Sequence, residues 1–153
     1  MEESFTAGLL HDIGKVIFLS EMLAEYRHIL GTSPGSISEL EMERLGCTHA
    51  QVGAYLMSIW GLPVPLVHAV AFHHYPSKTE ETKFSSLIAV HAADAIASAK
   101  DPAILNQDIE LDLNFLDRLG LRQREAVWRG FHQDYMVAIA EGASDKRKGA
   151  VGP

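Results

Sequence analysis

The sequence predicts an all-α fold, an irregular orthogonal multi-helical bundle built from short helices. Apolar residues recur three and four positions apart through most of the chain, Gly and Pro punctuate that pattern at short intervals, and no useful stretch alternates as a strand would. The segments between these marks are short and their connections mostly brief, which suits such a bundle better than a long four-helix one. With 153 residues, 47% hydrophobic and 22% charged, the chain has the size and composition of a single folded domain. A domain of that size buries about 70% of the surface its unfolded form exposes.

The elements follow in order. A first helix ends in Gly8-Leu9-Leu10 and runs into His11-Asp12-Ile13-Gly14-Lys15. Val16, Ile17, Phe18, Leu19, Met22, Leu23, Tyr26, Ile29 and Leu30 keep helical spacing as far as Gly31, which predicts one continuous helix. Thr32 to Ser36 reads as a loop, and Ser36 with Glu39 fits a capping box that opens a short helix stopped by Gly46. Thr48 with Gln51 repeats the signal, opening a helix that carries His49, Val52, Gly53, Leu56 and Trp60 on one face as far as Gly61. Pro63 starts the next helix, striped by Leu66, Val67, Val70 and Ala71; it runs to about His74, and Pro76 ends it.

After a polar loop from Ser77 to Thr82, the residues Phe84, Leu87, Ile88, His91, Ala92 and Ala95 predict a helix whose small inner residues allow close packing. Asp101-Pro102 breaks it. A short helix from about Leu113 to Leu119 and a longer one from about Arg122 to Ala140 complete the domain. The domain is expected to span residues 1–142, with 143–153, including Asp145-Lys146-Arg147-Lys148 and a Gly-rich end, as a flexible tail.

Charge and cysteine content narrow the function. Thirteen basic against twenty acidic residues give a net charge of −7, which argues against nucleic acid or an anionic membrane as the main partner. Cys47 is the single cysteine, no apolar run is long enough to span a bilayer, and the start Met1-Glu2-Glu3 is acidic where a signal peptide is basic. A cytoplasmic protein is expected.

Eight histidines stand out. His11 and Asp12 are adjacent at a helix end, His49 lies in a first turn, His73 and His74 are adjacent at a helix end, and Asp94 lies within a helix, all on or beside apolar faces. A carboxylate on an apolar face is costly unless paired or metal-bound, so these residues call for a common partner. Imidazole with carboxylate suits iron, manganese, nickel or zinc, in a mononuclear or dinuclear site, and metal-assisted hydrolysis at phosphorus is the chemistry such a set supports. Lys15, one turn beyond Asp12, is placed to contact a phosphate. Against this, a lone histidine on an apolar face is more often a core residue, and His28, His68, His91 and His132 read that way.

The string from Phe5 to Lys15 resembles the signature of the HD superfamily of metal-dependent phosphohydrolases. Leu45 to Ala54, Trp60-Gly61-Leu62-Pro63, His73-His74-Tyr75-Pro76 and His91-Ala92-Ala93-Asp94 resemble its HDOD branch, the HD-related output domain. By analogy with the related HD-GYP phosphodiesterases, the resemblance implies His11, Asp12, His49, His73, His74 and Asp94 as metal ligands and Lys15 as a substrate-phosphate contact. Those enzymes add a His or Glu from a helix upstream of the His-Asp pair and a long Arg-x-x-Asp-Gly-x-Gly-Tyr-Pro segment, neither of which this sequence contains. The resemblance therefore implies a domain lacking its N-terminal helical part. The expected role is a bacterial signal-transduction output or regulatory domain, non-catalytic and acting through protein or ligand binding. The alternative is a metal-dependent phosphohydrolase acting on a nucleotide or cyclic nucleotide. A signalling protein is the expected partner, with homo-oligomerisation left open.

Overall fold

A computed structural model of the chain describes residues 2–31, 36–98 and 110–149, the last eight of these by backbone alone. Among the described residues there are nine α-helices, one 3₁₀ turn and no strand. The helices are α1 (Glu2–Leu10), α2 (Ile13–Glu21), α3 (Leu23–Gly31), α4 (Ile37–Leu45), α5 (His49–Ile59), α6 (Val64–Phe72), α7 (Ser86–Ser98), α8 (Leu113–Arg118) and α9 (Arg124–Gly149). The all-α bundle that the spacing predicts is the observed architecture, and no helix described is long and apolar enough to cross a membrane.

The two predicted N-caps stand where the sequence places them, Ser36 with the side-chain-to-amide half of its expected capping box and Thr48 with both halves. Ser36 Oγ accepts from the Glu39 amide at 3.2 Å, and α4 stops at Gly46, whose φ of 76° is a left-handed conformation that a side chain would strain. Thr48 opens α5 with a complete capping box: its Oγ1 accepts from the Gln51 amide at 3.2 Å and the Gln51 side chain accepts from the Thr48 amide at 3.0 Å. Thr48→Ala is therefore expected to cost about 1 kcal/mol, read as a lower thermal midpoint of the metal-free protein.

Three expectations are corrected. The helix predicted to run unbroken to Gly31 is two helices, because Met22 leaves helical geometry at φ −135° and ψ 43°. The break folds α3 back so that Phe18 and Tyr26 meet with ring centroids 5.2 Å apart and enclose a small core with Ile29. Helical spacing persists across such a break because both halves bury the same face. Phe84 lies outside α7 and is exposed, packing its ring 6.4 Å from Trp128 of α9. α9 continues past Ala140 to Gly149. The Asp101-Pro102 break and residues 150–153 of the expected tail lie outside the described residues.

The centre of the bundle is α5. It packs against α2 on one side and α6 on the other, while α1 and α6 both pack on α7. Ala7, Ala54, Met57, Leu66, Ala69, Val70, Leu87 and Val90 fill the space between α1, α5, α6 and α7, while the small residues Ala92 and Ala95 of α7 pack in a second cluster with Ile88, Leu111, Phe115 and Leu116. Gly14 brings α2 close to α5: a Cβ there would stand 2.0 Å from the His49 carbonyl oxygen. Backbone contact between these two helices sets the distance between Asp12 and His49.

Candidate metal centre

Three junctions or ends of helices and the body of a fourth converge on one point. The α1–α2 junction carries His11 and Asp12, the first turn of α5 carries His49, the C-terminal end of α6 carries His73 and His74, and α7 brings Asp94. Asp12 is the residue preceding α2, where an aspartate ordinarily caps the helix, yet its side chain makes no cap hydrogen bond. Its carboxylate turns inward instead. Oδ1 lies 3.4 Å from His49 Nε2 and 3.9 Å from His73 Nε2, and Oδ2 lies 3.6 Å from His11 Nε2. His11 Nε2 is also 3.7 Å from Asp94 Oδ2.

The imidazoles are oriented from behind. His11 Nδ1–H donates to the Gly8 carbonyl, His73 Nδ1–H to the Val70 carbonyl and His49 Nδ1–H to Glu41 Oε2, each at 2.7 Å. Each ring thus turns Nε2, with its lone pair, toward Asp12. This is the arrangement in which metal-binding histidines are held, one ring nitrogen tied to an oxygen and the other presented to the ion. His74 departs from it: its Nε2 lies 2.7 Å from His49 Nε2, and its Nδ1 has no partner.

Glu41 is the member that sequence reasoning missed. Fully buried, it accepts from Tyr26 Oη at 2.8 Å, from the His49 amide at 2.8 Å and from the His49 ring. A signal was present, since Glu41 sits on the same face of α4 as Ile37 and Leu45. An acidic residue on a buried stripe needs hydrogen-bond donors, and here they are the phenol and the histidine.

Electrostatics keep His73, His74 and Asp12 in metal-binding form and act the other way on Asp94. Burial disfavours the charged ring of His73 and lowers its pKa to about 3, the neighbouring imidazoles adding to the effect. Burial does the same to His74, with His73 and His49 contributing, and holds it well below the ordinary histidine range. Burial opposes ionisation of Asp12, but Lys15, His11 and His49 outweigh it and hold the carboxyl below its usual value. Asp94, also buried, is pushed upward, with Asp12 adding to the rise.

A fit to a cation is visible in the unsatisfied atoms. Asp12 Oδ1, His73 Nε2, His74 Nδ1 and Asp94 Oδ2 are buried without a hydrogen-bond partner. Native interiors rarely leave such atoms bare, and several in one cluster indicate an absent ligand. Two groupings bring donor atoms within 4.8 Å of one another: Asp12, His49, His73 and His74; and His11, His73 and Asp94. His73 has a single free lone pair and can serve only one ion. The first grouping with His73 is a four-donor set; His11 and Asp94 remain for a second ion and can be joined by Asp12 Oδ2. That oxygen is presently held by Lys15 Nζ at 2.9 Å.

All six ligand positions expected from the sequence are therefore gathered here, with Lys15 beside them. His91, read from the sequence as a core residue, is one: its Nδ1–H donates to the His73 carbonyl at 2.7 Å and its Nε2 accepts from the Asp112 amide at 2.9 Å. His68 stands apart, 3.7 Å from Glu81.

Comparison with known proteins agrees with this geometry. The HDOD domain model matches residues 1–76. An uncharacterized protein of Treponema pallidum (strain Nichols) is 37% identical over 87 residues, covering 53% of this chain and 17% of that protein. Ribonuclease Y of Deinococcus radiodurans is 31% identical over 131 residues, 86% of this chain and 18% of the relative. Ribonuclease Y of Thermus thermophilus is 31% identical over 121 residues, 79% of this chain and 16% of the relative. The chain spans less than a fifth of the length of these curated relatives. No solved structure matches. Through residues 1–76, which hold His11, Asp12, His49, His73 and His74, the chain belongs to the HDOD domain family of the HD superfamily.

Proposed function

We propose that the chain is a divalent-metal-binding HD-type domain whose centre acts on phosphodiesters. The observation that carries this reading is the convergence of three imidazoles, each tied at Nδ1, on a carboxylate whose Oδ1 is buried and unpaired. Similarity to ribonucleases over 86% of the chain supports phosphodiesters as the substrate class. Asp12, His49, His73 and His74 would hold the tighter ion, and His11, Asp94 and the second Asp12 oxygen a weaker one. Iron, manganese, nickel or zinc suits these donors. When bound, such ions supply Lewis acidity at phosphoryl oxygen and lower the pKa of water. The chain's own part is to keep His73 and His74 neutral, fix the ring orientations, hold Asp12 ionised and offer Lys15 to a substrate phosphate.

The test is metal content after purification without chelator, followed by turnover of bis(p-nitrophenyl) phosphate with added manganese or zinc. Stoichiometric metal and metal-dependent turnover are expected. A chain that neither carries nor takes up metal would remove the reading. Glu41→Gln, which keeps the shape but removes the charge behind His49, is expected to weaken metal binding about tenfold by titration calorimetry.

A second reading, the HDOD output role acting through a signalling partner, is supported by exposed apolar residues Phe5 and Leu9 on α1 and Val16 on α2. Metal uptake without turnover would favour it.

A further inference from the structure

We propose that Lys15 sets how many ions the centre holds: its ammonium occupies the Asp12 oxygen that a second ion needs, and a substrate phosphate admits that ion by drawing the lysine away. The inference rests on the metal reading above and adds the control of its weaker position.

The two oxygens of Asp12 are committed differently. Oδ1 is buried without a hydrogen-bond partner and faces His49 and His73, so the four-donor position has its carboxylate oxygen ready. Oδ2 faces the other position, 3.6 Å from His11 Nε2, and is held by the Lys15 ammonium at 2.9 Å. A divalent ion on Oδ2 would stand next to that ammonium, and two cations in contact within a half-buried site repel strongly. The lysine must move before the ion can settle.

The second position cannot do without this oxygen. Asp94 offers Oδ2, 3.7 Å from His11 Nε2, while its Oδ1 accepts from Ser98 Oγ at 3.2 Å. His11 and one Asp94 oxygen make only a pair of donors, whereas open metal sites ordinarily draw three ligands from the protein. Asp12 Oδ2 completes the set.

The place of Lys15 in the chain argues the same way. It lies in the first turn of α2, where the helix dipole disfavours a positive side chain, so its charge is held there by the carboxylates around it. Its reach extends past Asp12: burial pushes the Asp94 carboxyl upward, and His11 and Lys15 work against that rise. One ammonium thus acts as counter-charge to both carboxylates of the second position, the service a second ion would otherwise perform. The hold is reversible. The Lys15 side chain is partly exposed and its four-carbon stem is flexible, so the ammonium can turn to an anion arriving from solvent. Each N–H given to a phosphoryl oxygen weakens the hold on Oδ2. By linkage, phosphate and the second ion strengthen each other's binding by the same factor.

The experiment counts ions on the full chain by titrating manganese(II) at constant ionic strength and following free manganese by electron paramagnetic resonance. Wild type is expected to fill one tight and one weak position. Lys15→Gln removes the charge and is expected to bind the second ion at least about tenfold more tightly, with a smaller gain for the first. Lys15→Arg keeps the charge and is expected to bind the second ion no more tightly than wild type. Inorganic phosphate is expected to tighten the second ion in wild type, and by a clearly smaller factor in Lys15→Gln, where no lysine is left to displace. Circular dichroism checks that each variant is folded, and the phosphate arm on wild type stands without either variant. No tightening by phosphate in wild type, an equal phosphate effect in Lys15→Gln, unchanged second-ion binding in Lys15→Gln, equal gains at both positions, or the same gain in Lys15→Arg overturns the inference. A wild-type chain that binds no manganese overturns the metal reading itself, a result read before phosphate or any variant is used.

Discussion

Asp12→Ala is expected to lose essentially all bound metal, with affinity at the tighter position falling about 100-fold or more. Asp12 is the carboxylate that faces both groups of donors, with Oδ1 toward His49 and His73 and Oδ2 toward His11. Removing an oxygen that orients a ligand from behind costs about 10–100-fold in metal affinity, so removing the ligand itself costs more. Asp94→Asn touches only the second group, so it is expected to leave the four-donor position filled and to lose only the weaker ion. Elemental analysis of both variants after equilibration with zinc, with circular dichroism to check helix content, separates the two effects. Wild-type metal content in Asp12→Ala would contradict the assignment, and equal losses in the two variants would contradict the division into a tight and a weak position.

The positions of the donors were legible because the chemistry is written in adjacent pairs. His11-Asp12 and His73-His74 sit at helix ends, and a helix end is marked by the same glycines and prolines that mark the fold. His49 follows a cap signal, Thr48 with Gln51, that the structure realises in full. What periodicity could not give was the turn at Met22, since helical spacing says which face is buried and not whether the axis is continuous. Nor could it pair Glu41 with His49 and Tyr26, because contacts between residues on three helices depend on how α3, α4 and α5 cross. The proposed division of the candidate ligands was also out of reach: it depends on which ring nitrogen each histidine ties down, and those ties to Gly8, Val70 and Glu41 exist only in the folded chain.

Gly14→Ala is expected to be among the most damaging single substitutions in the chain, although alanine is the better helix former by about 1 kcal/mol. The added Cβ would lie 2.0 Å from the His49 carbonyl oxygen, 2.7 Å from its carbon and 2.8 Å from its Cα. All three are backbone atoms of α5 and cannot rotate aside, so α2 and α5 must separate. Overpacking by one methyl group costs about 1–3 kcal/mol where side chains can yield, and more where they cannot. A loss above about 3 kcal/mol, roughly a 10 °C fall in thermal midpoint for a chain of this size, is expected in the metal-free protein. Gly53→Ala is the matched control: its nearest contact is the Ile13 Cγ2 methyl at 3.0 Å, a side chain that can shift, so a smaller fall is expected. Separation of the two helices would also widen the gap between Asp12 and His49, now 3.4 Å. Gly14→Ala should therefore weaken metal binding without touching a ligand, whereas Gly53→Ala should keep more of it. A Gly14→Ala protein with unchanged midpoint and unchanged metal affinity would show that α2 and α5 do not meet at their backbones, and the spacing of the centre would then need another origin.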